Sequence, residues 1–200
     1  MGSGKVARSV AEKLLEYGAI PLTFSDASGH VYEPDGITKG RLGTIDKIKD
    51  ERGALLGRYI ISSTTAEFNK GNILDIPCDL CFPCGAMGEI DNEAADKLAD
   101  NGCQGVIEGG SSTVTAGARK ILKKRGMLYG PHNLTLTGSA IVHSIGTGAT
   151  DAKLAENVAR IYQDVKNTAS EFNARGDLFA GANIAGFLRV ANVMMTHGAV

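Results

Sequence analysis

This sequence has no excess of either charge and no block rich in lysine or arginine, and its formal net charge is −1. An electrostatic surface for nucleic acid or for a membrane is therefore not expected. No uninterrupted apolar run approaches the roughly 20 residues of a membrane span. The first apolar stretch is broken by Arg8, Glu12 and Lys13, so no secretory signal is expected either. With 43% hydrophobic and 22% charged residues, the composition is typical of a soluble globular protein. We expect the protein in the cytoplasm.

Cysteine is scarce, and three of the four cysteines, Cys78, Cys81 and Cys84, share the segment CDLCFPC; the fourth is Cys103. Such a run of thiols is compatible with a metal ion or an iron–sulfur cluster. It is equally compatible with a short buried strand, because the segment is apolar and bounded by prolines. Residues three apart in a strand face opposite sides, so Cys78 and Cys81 would not bind one ion together. We therefore expect reduced thiols and no metal site.

Helix-like and strand-like segments alternate along most of the chain. An apolar stripe of helical period covers residues 5–17, the run 19–26 is typical of a strand, and the turn formers of 27–36 predict a loop. Downstream, the pattern predicts helices near 39–53, 91–102, 115–126, 151–174 and 182–197, and strands near 75–83, 104–109 and 127–131. This alternation predicts an α/β fold, with a Rossmann-like, doubly wound, mostly parallel sheet and helices on both faces.

The first residues carry a Gly-x-Gly-x-x-Ala turn, made by Gly2, Gly4 and Ala7, that runs directly into the first helix. In dinucleotide-binding domains such a turn brings main-chain N–H groups against a pyrophosphate, and an acidic residue roughly 20 residues further on meets the adenosine ribose. Asp26 lies at that distance, although a solvated turn carboxylate is the alternative interpretation. Lys49 is a candidate to neutralise a 2′-phosphate beside Asp26, or is simply solvated.

A buried strand normally precedes such a turn, and here only Met1 does. Either the motif is accidental, or the chain is a piece of something longer and its first strand is truncated. We take the second interpretation as the prediction, because turn, helix, strand and acidic residue all follow in the expected order.

With these motifs in view, the chain resembles the C-terminal dinucleotide-binding domain of hexameric glutamate dehydrogenases, in the Glu/Leu/Phe/Val dehydrogenase family. The matching stretches are GSGKVARSVAEKLLEYGA, LTFSDASGHVYEPDGI, IPCDLCFPC, NGCQGVIEGG and GANIAGFLRVANVMMTHGAV. The resemblance implies one NAD(P)-binding domain over residues 1–200 that includes a C-terminal helix at about 182–197. It also implies reversible conversion of glutamate to 2-oxoglutarate and ammonia, with NADP(H) as cofactor rather than NAD(H).

The resemblance further implies which residues form the site. Cofactor contacts are expected at Gly2, Ser3, Gly4, Lys5, Val6, Asp26, Lys49, Cys84, Gly85 and Ser111, and a substrate contact at Ser144. No residue of this chain matches a catalytic position of the family, whose lysine-rich substrate pocket and catalytic Asp belong to an N-terminal domain.

Several positions depart from the family pattern. Lys5 stands where the family has Asn, Met87 and Gly88 replace a Gln-Asn pair, Ser111 replaces an Asn, and residues 131–151 barely match. Two functions stay open. In the first, the chain is the NADP(H)-binding portion of a glutamate dehydrogenase, inactive alone and able to bind glutamate only together with an N-terminal domain, with a homo-oligomer as a candidate assembly. Alternatively, it is a non-catalytic nucleotide-binding or interaction module derived from that fold.

The final helix also allows two interpretations. The first, which we prefer, is that its apolar stripe completes the core of the domain. In the second, the stripe faces the substrate domain of the family, and Phe187, Met194 and Met195 are exposed in this chain.

Overall fold

A computed structural model describes residues 1–148 and 150–198. The chain divides into two compact units, Met1–Leu128 and the part from Tyr129 onward. The prediction of one domain over residues 1–200 stays a prediction, and each unit is considered by itself.

The first unit combines helices and short strands, as the sequence pattern predicts. Its helices are α1 (Lys5–Glu16), α2 (Lys39–Asp50), α3 (Asn92–Asp100) and α4 (Ala116–Lys124). Its strands are β1 (Thr23–Asp26), β2 (Gly29–Tyr32), β3 (Glu67–Asn69), β4 (Leu80–Cys81) and β5 (Gly105–Ile107), while β6 (Leu128–Gly130) begins at its last residue. Short 3₁₀ helices span Leu56–Ser62 and Ile73–Asp75. The α/β class is therefore confirmed.

The strands form two three-stranded sheets, in the orders β1-β2-β3 and β4-β5-β6. The pair β4–β5 is parallel, as predicted, whereas β1–β2 and β2–β3 are antiparallel. The prediction of a loop over residues 27–36 is therefore wrong in part, because these residues include β2. The connection between β1 and β2 is only Ala27-Ser28, and a two-residue connection can join antiparallel strands only.

Met1 and Gly2 bridge one end of a gap that separates β1 of the first sheet from β4 of the second. The Met1 amino group donates to Phe82 O at 2.8 Å, and Met1 O accepts from the Cys84 N–H at 3.2 Å. On the other side Gly2 O accepts from the Ser25 N–H at 3.1 Å. These two residues therefore pair with both sides, as the last residues of a strand between β1 and β4 would.

Below Met1 the gap continues as a cavity of about 750 Å³. Its apolar lining includes Ala7, Ala11, Phe24, Leu74, Cys81 and Leu98. Ala7 and Ala11 are the buried residues of α1, so this helix covers the cavity with its apolar stripe.

Beyond the end of β6, the described residues of the second unit lie mainly in helices. It contains α5 (His132–Thr135), α6 (Thr137–Ile145), α7 (Asp151–Glu171) and α8 (Leu178–His197). Helices α7 and α8 pack where Gly181 allows it: a Cβ atom there would lie 2.9 Å from the Ala169 Cβ and would overlap with the Val165 carbonyl oxygen. The sequence pattern predicted α7 and α8 but not α5 and α6.

Helix α8 presents a largely exposed apolar surface. Phe187 is 70% exposed and Met195 77%, and Gly181 is the buried residue of the helix. The preferred expectation, that this stripe completes the core, is therefore wrong, and Phe187, Met194 and Met195 are exposed as the alternative expects. That the stripe faces a substrate domain stays a prediction. With 20 residues and a mean hydropathy of 1.4 over an 18-residue window, α8 also has the length and composition of a membrane span, contrary to the sequence expectation. Length and composition alone do not place it in a membrane.

Candidate nucleotide-binding site

The glycine turn is anchored against the carboxyl end of β1. Gly2 has φ +85°, and its N–H donates to Ser25 Oγ at 2.8 Å. A Cβ atom on Gly2 would lie 3.3 Å from the carbonyl carbon and oxygen of Cys84. Positive φ and this close approach both require glycine here. The turn is therefore beside Asp26, which directly follows Ser25, as the sequence predicts.

The start of α1 is open to a ligand. Gly4 is the N-cap residue, with φ −71° and ψ −177°, and no side chain caps the helix. A Cβ atom on Gly4 would have no neighbour within 4 Å. Main-chain N–H groups of an uncapped first turn carry a partial positive charge and suit an anion. Ser3 is buried and Lys5 exposed, so Lys5 adds a positive charge at the mouth of the turn.

A second glycine-rich wall faces the turn. A Cβ atom on Gly109 would overlap with Cys84 Sγ and lie 3.4 Å from Val6 Cγ1, and one on Gly110 would lie 3.1 Å from Gly85 O. The N–H groups of both glycines donate to Pro83 O, at 2.9 and 3.0 Å. The structure thus brings the predicted residues Val6, Cys84 and Gly85 together.

Gly109 and Gly110 are candidate site residues that were not predicted, although the sequence contains a signal for them: a Gly-Gly pair one residue after the strand β5. Ser111 is exposed directly after this pair, in the connection to α4. Gly85, in turn, donates its N–H to Glu89 Oε2 at 3.2 Å, so Glu89 holds the segment that follows β4.

Asp26 is the most highly connected side chain of the site. Its Oδ1 accepts from the N–H and the hydroxyl of Ser28, at 2.9 and 2.5 Å. Its Oδ2 accepts from Lys49 Nζ at 2.9 Å and from the Leu56 N–H at 2.8 Å. Burial would raise the pKa of this carboxyl group, but the hydrogen bonds from Ser28, Lys49 and Leu56 outweigh burial and lower its pKa to about 2. Asp26 is therefore charged at neutral pH.

Lys49 reaches Asp26, as predicted, from the last turn of α2. Its ammonium also donates to Ala54 O at 3.1 Å, and only 19% of its side chain is exposed. The lysine is thus an integral part of the site rather than a solvated surface charge. Because the pair is neutral overall, Lys49 cancels the repulsion that Asp26 alone would exert on a phosphate.

A buried carboxylate holds the segment that faces Asp26. Glu33 is fully buried, and it accepts from the Tyr59 and Ser63 hydroxyls at 2.7 Å and from Thr65 Oγ1 at 2.8 Å; Arg41 forms an ion pair with it at 3.3 Å. Burial would raise the pKa of Glu33, but these partners lower it. The cluster fixes residues 56–65 and with them the Leu56 N–H on Asp26. This cluster around Glu33 was not predicted from the sequence.

Ser144 does not take part in this arrangement. It lies in α6 of the second unit, where its hydroxyl donates to Ile141 O at 2.9 Å. Its contact with a substrate stays a prediction.

The four cysteines are free thiols. Within residues 1–148 and 150–198, no group of three His, Cys, Asp or Glu side chains is placed to hold a metal ion. Burial raises the pKa of the Cys84 thiol beside the glycine turn, so the thiolate is disfavoured there.

The family model of Glutamate/Leucine/Phenylalanine/Valine dehydrogenases matches residues 1–198. The chain belongs to this family. It is 36% identical to an NADP-specific glutamate dehydrogenase of Chlorella sorokiniana, over all of this chain and 40% of the relative, and 33% identical to one of Helicobacter pylori, over 98% and 48%. Its fold matches glutamate dehydrogenase 2 of Plasmodium falciparum with a TM-score of 0.91 at 35% identity, over all of this chain and 46% of that one.

This chain therefore spans about half the length of the family members it matches. The relationship to glutamate dehydrogenases covers the glycine turn, Asp26 and the second glycine-rich wall, because the match begins at residue 1.

Proposed function

We propose that this chain is the NADP(H)-binding portion of a glutamate dehydrogenase. The observation that carries the proposal is the placement of the uncapped start of α1 beside Asp26, with open space at Gly4. A pyrophosphate would accept from the N–H groups of the first turn, and the adenosine ribose would meet Asp26 and Ser28. The names of the relatives, NADP-specific glutamate dehydrogenase, support the choice of cofactor.

Each part of the site has a distinct role in this proposal. Gly2 sets the bend, Gly4 leaves room for the phosphates, and the Asp26–Lys49 pair presents a carboxylate to the ribose without net charge. Because Asp26 already accepts four hydrogen bonds, a ribose hydroxyl would replace one donor. The Ser28 hydroxyl can rotate away, unlike the two main-chain N–H groups, and its loss leaves the Lys49 ion pair intact. When bound, the nicotinamide supplies hydride transfer for the reversible oxidative deamination of glutamate to 2-oxoglutarate and ammonia.

Turnover in this proposal needs a substrate-binding domain outside the 200 residues. The acid–base groups for proton transfer would come from it. In the site described above, Asp26 and Lys49 are paired, Glu89 accepts from the Gly85 N–H, Lys5 lies at the glycine turn, and the Cys84 thiolate is disfavoured. The chain alone is then expected to bind NADP(H) without oxidising glutamate.

Gly4→Ala tests the proposal. The extra methyl group meets no atom of the protein, so the free energy of unfolding should change by no more than about 1 kcal/mol. Binding of NADPH, followed by its fluorescence, should weaken by about tenfold or more because the phosphates lose their approach to the main chain. Gly43→Ala in α2, where a methyl group is equally free, is the matched control and should leave binding unchanged.

Equal NADPH affinity of Gly4→Ala and the unmodified chain would contradict the placement of the pyrophosphate. Glutamate-dependent reduction of NADP by the chain alone would contradict the assignment of the acid–base groups to another domain. Binding without turnover, even when a substrate domain is supplied, would favour a non-catalytic nucleotide-binding module.

A further inference from the structure

Two cysteines lie opposite each other just before β4 and β5 begin. The parallel register of these strands pairs Leu80 with Gly105. Two residues earlier in each segment, the same register places Cys78 opposite Cys103. Residues two apart in an extended segment face the same side, so the two cysteine side chains lie on one face of the sheet.

Hydrogen bonds keep this register beyond the ends of the strands. The Gln104 main-chain N–H donates to Asp79 O at 2.8 Å, and the Gln104 side-chain amide donates to Asp79 Oδ1 at 3.2 Å. Cys103 Sγ lies 3.7 Å from Asp79 O, so it reaches the main chain directly beside Cys78. A hydrogen bond from the Cys78 thiol to the Cys103 sulfur joins the two side chains.

This placement suits a disulfide bond. Neighbouring strands lie about 4.8 Å apart, and the Cα atoms of a disulfide are about 4.4–6.8 Å apart. The two Cβ atoms also point to the same face, as a disulfide requires. Cys78 and Cys103 can therefore be bridged without a large movement of the main chain.

The two sulfur atoms differ in access and in charge. Cys103 is 5% exposed, whereas Cys78 is half-buried and lines the cavity of about 750 Å³ below Met1. Their hydrogen bond, with burial, raises the pKa of Cys78, and it lowers the pKa of Cys103 although burial opposes this shift. The proton therefore resides on Cys78, and Cys103 has the character of a thiolate, which is the nucleophilic form.

The neighbouring thiol of β4 does not share these properties. Cys81 is an odd number of residues from Cys78, so it faces the other side of the strand. Cys81 is buried, and burial raises its pKa to about 12. Its thiolate is therefore disfavoured.

We propose that Cys78 and Cys103 form a redox modification site, at which hydrogen peroxide converts the two thiols into an intramolecular disulfide. The cavity gives this small oxidant access to Cys78, and Cys103 lies directly behind. Disulfides of intracellular proteins are mostly transient and redox-sensing, so free thiols are the resting state of such a site. The proposal is independent of the proposed function, because no cofactor takes part.

The reaction proceeds in two steps. First, Cys103 accepts the Cys78 proton while the Cys78 sulfur attacks one peroxide oxygen; an S–O bond forms, the O–O bond breaks, and hydroxide leaves. This hydroxide takes the proton from Cys103 and becomes water. The Cys103 thiolate then attacks the Cys78 sulfur; the S–S bond forms, the S–O bond breaks, and the second hydroxide takes a proton from the solvent. The two thiols lose two electrons, and the peroxide is reduced to two water molecules.

The disulfide would close a covalent loop over residues 78–103, which contain β4 and α3. The carboxyl ends of β4 and β5 lead to the two walls of the nucleotide site, Cys84-Gly85 and Gly109-Gly110. Oxidation would thus fix one strand on the other at their starts. A loop of this length predicts a rise in Tm of about 5–15 °C.

The test treats the unmodified chain with hydrogen peroxide, removes the excess, alkylates the remaining thiols and cleaves the chain before its aspartates. Cleavage places Cys78 in residues 75–78, Cys81 and Cys84 in residues 79–90, and Cys103 in residues 100–150. The number of free thiols should fall from four to two, and mass spectrometry should find residues 75–78 linked to residues 100–150. Dithiothreitol should restore four thiols and reverse the rise in Tm.

Cys78→Ala should abolish both the link and the rise in Tm, and Cys81→Ala, in the same segment, is its matched control and should retain both. Four free thiols after peroxide treatment would refute the proposal, and so would a link from residues 79–90 to Cys103 in the unmodified chain. Loss of the link in Cys81→Ala would equally refute it. NADPH binding by the reduced chain tests the proposed function separately, since it does not depend on the disulfide.

Discussion

An extended apolar segment of about five residues, joined ahead of Met1, is expected to enter the gap between β1 and β4 and stabilise the first unit. The edges of these two strands face the gap, and Met1 and Gly2 already bond to both sides. With the segment in place, the Met1 nitrogen becomes a peptide N–H and still donates to Phe82 O.

The size of the effect follows from the cavity of about 750 Å³ below Met1. A strand between two parallel neighbours is buried on both faces, and each apolar side chain contributes about 1.5–3 kcal/mol. Ordering each residue costs about 1.5 kcal/mol. The net gain is about 4 kcal/mol for five residues, which corresponds to a rise in Tm of about 8–16 °C for a chain of this size.

Thermal unfolding of the chain with a Val/Ile-rich extension should be compared with a Gly/Ser extension of the same length. Only the apolar extension should raise Tm, and only it should protect the amides of β1 and β4 from hydrogen exchange. Equal Tm values for the two extensions would refute the strand-shaped gap, whatever the value for the unextended chain.

Two further changes test how the site is built. Asp26→Asn should lower the free energy of unfolding at pH 7 by about 2 kcal/mol, because folding lowers the pKa of Asp26 from 3.8 to about 2. The charged carboxylate stabilises the fold above pH 4, and this stabilisation is lost as the pH falls toward 2. Urea titrations should therefore show that the free energy of unfolding falls less steeply between pH 4 and pH 2 for Asp26→Asn than for Asp35→Asn, which changes an exposed residue. An equal fall for both variants would contradict the role of Asp26. Gly2→Ala should cost about 1–3 kcal/mol through its positive φ and the crowding at Cys84, in contrast to Gly43→Ala, and an equal urea midpoint for both variants would show that the bend tolerates a side chain.

The elements that could be predicted from the sequence are those whose signal is local. Helix α1 follows from an apolar stripe between two glycines, and its observed bounds, Lys5–Glu16, fall within the predicted residues 5–17. Strand β2 could not be read in this way, because its four residues lie between turn formers and pair through a two-residue turn. Helices α5 and α6 lie in a stretch with several glycines, threonines and serines, where propensity is weak.

The same distinction applies to the site. The position of Asp26 relative to Gly4 follows a spacing that the fold imposes, so Asp26 could be predicted. Spacing alone left Lys49 a candidate, and the family resemblance supported it. The Glu33 cluster could not, because its hydroxyl partners lie 26 to 32 residues away in a segment without regular periodicity. Only folding shows that a buried carboxylate organises that segment.

The gap and the nucleotide site are coupled through the glycine turn. Cys84 fixes Met1 from one sheet and Ser25 fixes Gly2 from the other, so the position of the α1 N-terminus depends on both edges of the gap. A strand that fills the gap would continue the chain ahead of these two residues and restrain their positions. It would thereby raise the fraction of molecules in which the turn is formed. The apparent affinity for a nucleotide rises with that fraction. The apolar extension should therefore tighten NADPH binding as well as raise Tm. A rise in Tm with unchanged NADPH affinity would show that the turn is already fully ordered without the extension, and would contradict the coupling.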